Sequence, residues 1–115
     1  MKGNSGHFSG TSGDIISIGH MLQVTPPNKL GNEWKDTTNP KAKENGSNRT
    51  SYTNTNNGIK IEFDKGVKGA TGCKGKDHYH IKNPSSTGKS DYYLDINGNP
   101  CPKNSTKSHI VIKKG

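Results

Sequence analysis

From Gly58 onward the apolar residues fall on every second position, and this alternation constrains the fold more than any other feature of the chain. Ile59, Ile61 and Phe63 alternate with Lys60, Glu62 and Asp64. Successive strand side chains point to opposite faces, so the run predicts a half-buried strand, apolar below and charged above. Tyr79 and Ile81 alternate in the same way with His78, His80 and Lys82. Tyr92, Leu94 and Ile96 make a third run, closed by Asn97-Gly98, a strong hairpin-turn pair. Ser108 to Ile112 makes the last. Between them lie a Gly/Lys-rich loop over 66–76, a polar loop over 85–90, and Pro100 and Pro102, which keep their segment irregular.

The first half reads differently. Residues 1–20 are rich in Gly and Ser and predict a flexible arm or linker, which leaves 21–115 as a single domain. Pro26-Pro27 blocks helix locally. A short helix is expected within 30–43, with Asn28 as a cap and Trp34 as its one large anchor. Residues 44–57 read as turn chemistry. Only 24% of the chain is hydrophobic, and Ile, Val, Leu and Phe make up about 15% of it. That excludes a long-helix bundle and any large apolar core. The expected class is α+β: a short N-terminal helix or helices followed by a small antiparallel β-sheet. No apolar run approaches the ~20 residues of a membrane span, and the start lacks the pattern of a secretory signal. Cys73 and Cys101 allow one bridge or two free thiols, and neither belongs to a CxxC pair.

The formal charge of +8 is uneven: residues 58–115 carry eleven basic and five acidic side chains. A concentrated positive field on the strand-rich half favours a polyanionic partner. The polar faces of the strands supply chemistry to match. His78 and His80, two apart, share one face. Glu62 and Lys60 share the polar face of their own strand, and His109 lies on the last. Cleavage of RNA by its own 2′-hydroxyl needs a base for that hydroxyl, an acid for the 5′-oxygen and cations for the phosphorane. His80, His78, His109 and Glu62 are the catalytic candidates. Lys60, Lys76, Lys82 and Lys89 are the candidates for holding RNA phosphates. This chemistry needs no metal and no cofactor. The HxH pair is also a metal-ligand spacing, with His109 as a third ligand from another strand. A metal-dependent nuclease acting on DNA therefore stays open, as does a basic module that binds nucleic acid without cutting it. Residues 85–90 contain Gly-Lys-Ser without the glycine spacing of a phosphate loop, and there is no Gly-x-Ser-x-Gly.

The stretch from Ile61 to Ile110 carries Ile-Glu-Phe-Asp-Lys-Gly, Gly-Lys-Asp-His-Tyr-His-Ile-Lys-Asn-Pro, Tyr-Leu-Asp-Ile-Asn-Gly-Asn-Pro and Ser-His-Ile. It resembles the C-terminal toxin modules of bacterial polymorphic and contact-dependent growth inhibition systems. The resemblance implies delivery as part of a larger secreted or cell-surface protein, action in the target cell's cytoplasm, and neutralisation by a cognate immunity protein, here expected to be acidic. Many such modules are ribonucleases, and several have a barnase-like fold. That group sets a carboxylate on an early strand and a histidine on a late one, roles that would fall to Glu62 and His109.

Overall fold

The computed structural model describes residues 11–113. The chain runs through α1 (Thr11–Leu22), β1 (Trp34–Asp36), α2 (Pro40–Glu44), β2 (Arg49–Asn54), β3 (Lys60–Asp64), β4 (His78–Lys82), β5 (Tyr93–Leu94), β6 (Pro100–Cys101) and β7 (Ile110–Val111). The strands form one antiparallel sheet in the order β1-β2-β3-β4-β5-β6. The edge of β4 away from β3 is shared: β5 takes Ile81 and Lys82, and β7 takes His78 and Tyr79. The class is therefore α+β with a small antiparallel sheet.

The alternation sets the packing. Ile61 lies opposite Ile81 and Phe63 opposite Tyr79. Together with Leu94 and Ile110 they pave the apolar face. Ile18, Met21 and Leu22 fall on one side of α1, three and four residues apart, and close that face. Burying an aliphatic side chain of this size contributes about 1.5–3 kcal/mol, so a thin core still holds the sheet. Tyr79, though fully buried, keeps its hydroxyl satisfied by donating to the Thr25 carbonyl at 2.7 Å. Among the described residues no helix is long and apolar enough to cross a membrane.

Several expectations are corrected. Residues 11–20, read as arm, lie in α1, because the apolar residues packed on the sheet recur at helical spacing; residues 1–10 lie outside the described residues. Trp34 begins a strand and anchors no helix. The short helix starts later, at Pro40, where Asn39 caps it by accepting from Lys41 N at 2.8 Å. Arg49–Asn54, read as turn, is a six-residue strand whose Tyr52 packs against the core. In the third alternating run, Tyr93 and Leu94 are the buried pair, one on each face, since the sheet is covered on both sides. Both cysteines are free thiols, Cys101 buried. Loop 85–90 holds no anion cradle, because Thr87 N, Thr87 Oγ1 and Gly88 N all donate to Asp91, at 2.8, 2.9 and 3.1 Å.

The loop between β3 and β4 folds back on itself. Gly66 N donates to Asp77 Oδ1 at 2.7 Å and Val67 N to Lys74 O at 2.8 Å. A Cβ on Gly75 would overlap the Ala70 carbonyl oxygen. Backbone, not a flexible side chain, would have to move. Gly75→Ala is expected to cost about 1–3 kcal/mol, the usual range for overpacking a tight site. Thermal unfolding checks it; an unchanged midpoint would mean the loop yields freely.

Candidate functional site

The face opposite the core is polar and yet buried. The alternation predicts that Glu62, His78 and His80 face solvent, but they are 8%, 3% and 3% exposed. Two side chains from other strands cover them. The Tyr93 ring stacks on His80 with centroids 4.4 Å apart and planes within 18°. Arg49 crosses from β2. Burial of so many polar groups is tolerated because each has a partner.

Register builds the cluster. Arg49 lies opposite Asp64, and Asp64 opposite His78, so one row crosses three strands. Glu62 lies opposite His80 in the next row. The β4–β7 pairing, His78 with Val111 and Tyr79 with Ile110, brings His109 across from His80 when it is continued. Arg49 grips Asp64 with two parallel bonds, Nε to Oδ1 and Nη2 to Oδ2, both 2.7 Å. Its Nη1 lies 3.0 Å from Glu62 Oε1, which also accepts from the Tyr93 hydroxyl at 2.5 Å.

The three histidines are oriented alike. Nδ1 of His78, His80 and His109 faces a backbone carbonyl: Lys76 O at 2.8 Å, Ser108 O at 2.9 Å and Ser105 O at 3.0 Å. A carbonyl only accepts, so each Nδ1 carries the hydrogen and each Nε2 is the working nitrogen. Nε2 of His78 and Nε2 of His80 each lie 3.3 Å from Asp64 Oδ2. A carboxylate also only accepts, so these contacts call for a proton on Nε2. The three rings stand with centroids 4.7–5.0 Å apart.

Charge separates the three. Burial alone would raise the Asp64 carboxyl, but bonds from Arg49, His78 and His80 outweigh it and hold the group far below the usual carboxylate range. Burial opposes charge on His78, yet Asp64 and the backbone carbonyls outweigh it, so its pKa is raised and its protonated form is favoured. His109 goes the other way. Burial, then the positive charges of His80 and His78, lower its pKa. It is neutral at pH 7 with a lone pair on Nε2. A proton donor and a proton acceptor thus stand side by side, held apart in pKa by their surroundings.

These residues floor an open cleft of about 630 Å³. Arg49, Lys65, Lys74 and Lys103 line it against one carboxylate, Asp64. Lys103 rests its ammonium 4.8 Å over the Tyr92 ring. Of the sequence candidates, His78, His80 and His109 come together here. Glu62 lies beneath the cleft, sealed by Arg49 and Tyr93, and does not line it. None of Lys60, Lys76, Lys82 and Lys89 lines it either. Lys60 and Lys89 are exposed, Lys82 sits 5.0 Å over Tyr92, and Lys76 borders a separate hollow with Asp77 and Lys113. Sequence reasoning passed over Arg49, Asp64, Tyr93, Lys65, Lys74 and Lys103. A signal existed for two: Arg49 is the sole arginine, and Asp64 continues the alternation of Glu62.

Comparison with protein-family models, with curated proteins and with solved structures finds no match.

Proposed function

We infer that this chain is an antibacterial ribonuclease toxin module that cleaves RNA by metal-free general acid–base catalysis. One observation carries the reading: three histidines, each with Nδ1 tied to a backbone carbonyl, present Nε2 at the floor of a cationic cleft, with the pKa of His109 lowered and that of His78 raised. His109 takes the proton of the 2′-hydroxyl. That oxygen attacks the phosphorus, and the 5′-oxygen leaves with a proton from the His78/His80 pair. Arg49, Lys65, Lys74 and Lys103 offset the charge of the phosphorane. Glu62 acts as a positioning residue, holding Arg49 and Tyr93. A helix followed by an antiparallel sheet that carries its site on one face also supports the finer, barnase-like assignment. The delivery route and the acidic immunity protein rest on the sequence resemblance and on charge: an inhibitor seated on this cleft meets cations, and complementary charge would speed its binding.

The test is incubation of the purified protein with total bacterial RNA, with and without EDTA, followed by sizing of the products. Fragments are expected in both. Fragments only without EDTA would overturn the metal-free mechanism. RNA retained but uncut would favour a binding module.

A further inference from the structure

The cluster has a second chemistry that catalysis does not use. His78, His80 and His109 each offer a ligand nitrogen, and these nitrogens lie within 4.8 Å of one another. We propose that they form a binding site for one divalent transition-metal ion of the zinc class.

Four features support the assignment. Three imidazoles are a common protein ligand set for zinc, with the fourth position left open. In a tetrahedral site with Zn–N near 2.0–2.1 Å the nitrogens stand about 3.4 Å apart, so the rings need to close by only an ångström or so. The outer shell is already in place. Each Nδ1–H is tied to a backbone carbonyl, which fixes ring and tautomer and turns Nε2 inward, as metal-bound histidines require. Finally, Asp64 Oδ2 lies 3.3 Å from Nε2 of both His78 and His80, so an ion among the rings would sit beside a carboxylate. That carboxylate is held in place by Arg49. The donor set also predicts the selectivity. Magnesium and calcium prefer oxygen ligands, whereas imidazole suits Zn²⁺, Cu²⁺ and Ni²⁺.

A bound ion would take the Nε2 lone pairs, releasing to solvent any proton held there by His78 or His80, and these are the atoms that carry protons in the ribonuclease mechanism. It would therefore silence cleavage, a corollary that rests on the function inferred above.

Calorimetric titration with ZnCl₂ and with MgCl₂, on protein freed of metal by EDTA and dialysis, tests the site. One Zn²⁺ per chain and no Mg²⁺ is expected. His109→Ala should weaken zinc binding more than ~100-fold, beyond the ~10–100-fold that loss of an outer-shell partner costs. His109→Gln, which keeps a side chain of similar reach, should do the same, and a thermal midpoint for each variant shows that it is folded. No stoichiometric zinc, or equal binding by folded variants, overturns the site. RNA cleavage in the same samples separates the two ideas. Cleavage that falls with zinc occupancy and returns with EDTA supports both. Cleavage only with zinc keeps the site and overturns the metal-free mechanism. Cleavage indifferent to bound zinc overturns the corollary.

Discussion

His109→Ala is expected to lower RNA cleavage about 10²–10⁴-fold, the range for loss of a general acid–base group, while leaving the fold nearly intact. The side chain is partly exposed, and its one firm bond is to Ser105 O. That carbonyl keeps two other donors, Ser108 Oγ at 2.7 Å and Ser108 N at 3.1 Å. No buried polar atom is orphaned, so the stability cost should stay under about 1 kcal/mol. His80→Ala is the contrast. His80 is almost wholly buried between Tyr93 and Asp64, and its loss strands Ser108 O and opens a gap beneath the Tyr93 ring. It should lose cleavage too, together with about 1–3 kcal/mol of stability. Initial cleavage rates on a short RNA in metal-free buffer, beside urea unfolding of each variant, give both numbers. Wild-type cleavage by a folded His109→Ala protein would remove this histidine from the mechanism.

The larger structural effect belongs to Arg49. Arg49→Ala is expected to cost about 3 kcal/mol, the low end for breaking a buried ion pair, because the Arg49 side chain is itself 38% exposed. Its loss leaves Asp64 and Glu62 without their shared cation. Arg49→Lys should rescue only a minor part. One ammonium cannot supply two parallel bonds to Asp64 and a third contact to Glu62. Cleavage should fall in both variants, since Asp64 then no longer holds the two histidines at one distance. Urea unfolding reads the effect directly. A loss within about 0.5 kcal/mol of zero would mean that solvent already screens the pair.

What could be read from the residues was the part governed by local rules. The period of two found β3 and β4, and Asn97-Gly98 found its turn: Gly98 adopts φ 83° and its N–H bonds Asp95 O at 2.9 Å. The HxH spacing and His109 found the histidines. The misses have one physical cause. Alternation was read as one face in and one face out, but both faces of this sheet are covered. Tyr93, which the run of Tyr92, Leu94 and Ile96 leaves on the other face, is a lid over His80. Arg49 looked like turn composition, because Thr50, Ser51, Thr53 and Asn54 are turn formers as well as acceptable strand residues. Its role depends on Asp64, fifteen positions away, and no local pattern encodes that pairing. The lysines failed for the same reason. That Lys74 borders the cleft while Lys76 does not depends on how loop 66–76 folds back, with close backbone contacts at Gly66 and Gly75.

The shared edge of β4 also fixes an order in time. β3 and β4 can pair once residue 82 has been made. His109 arrives with the segment that leads into β7, and the Gln23–Lys113 bond at 2.6 Å waits for the far end of the described chain. Pairings this distant in sequence form late, because loop closure must precede any gain from contact. A chain emerging from the ribosome therefore carries His78 and His80 on β4 before His109 can be set beside them. Until that last segment docks, His80 also lacks the Ser108 carbonyl that orients its ring, so the three-histidine cluster is completed only at the end of folding. On the ribonuclease reading inferred above, a chain whose last segment has not docked lacks a complete site.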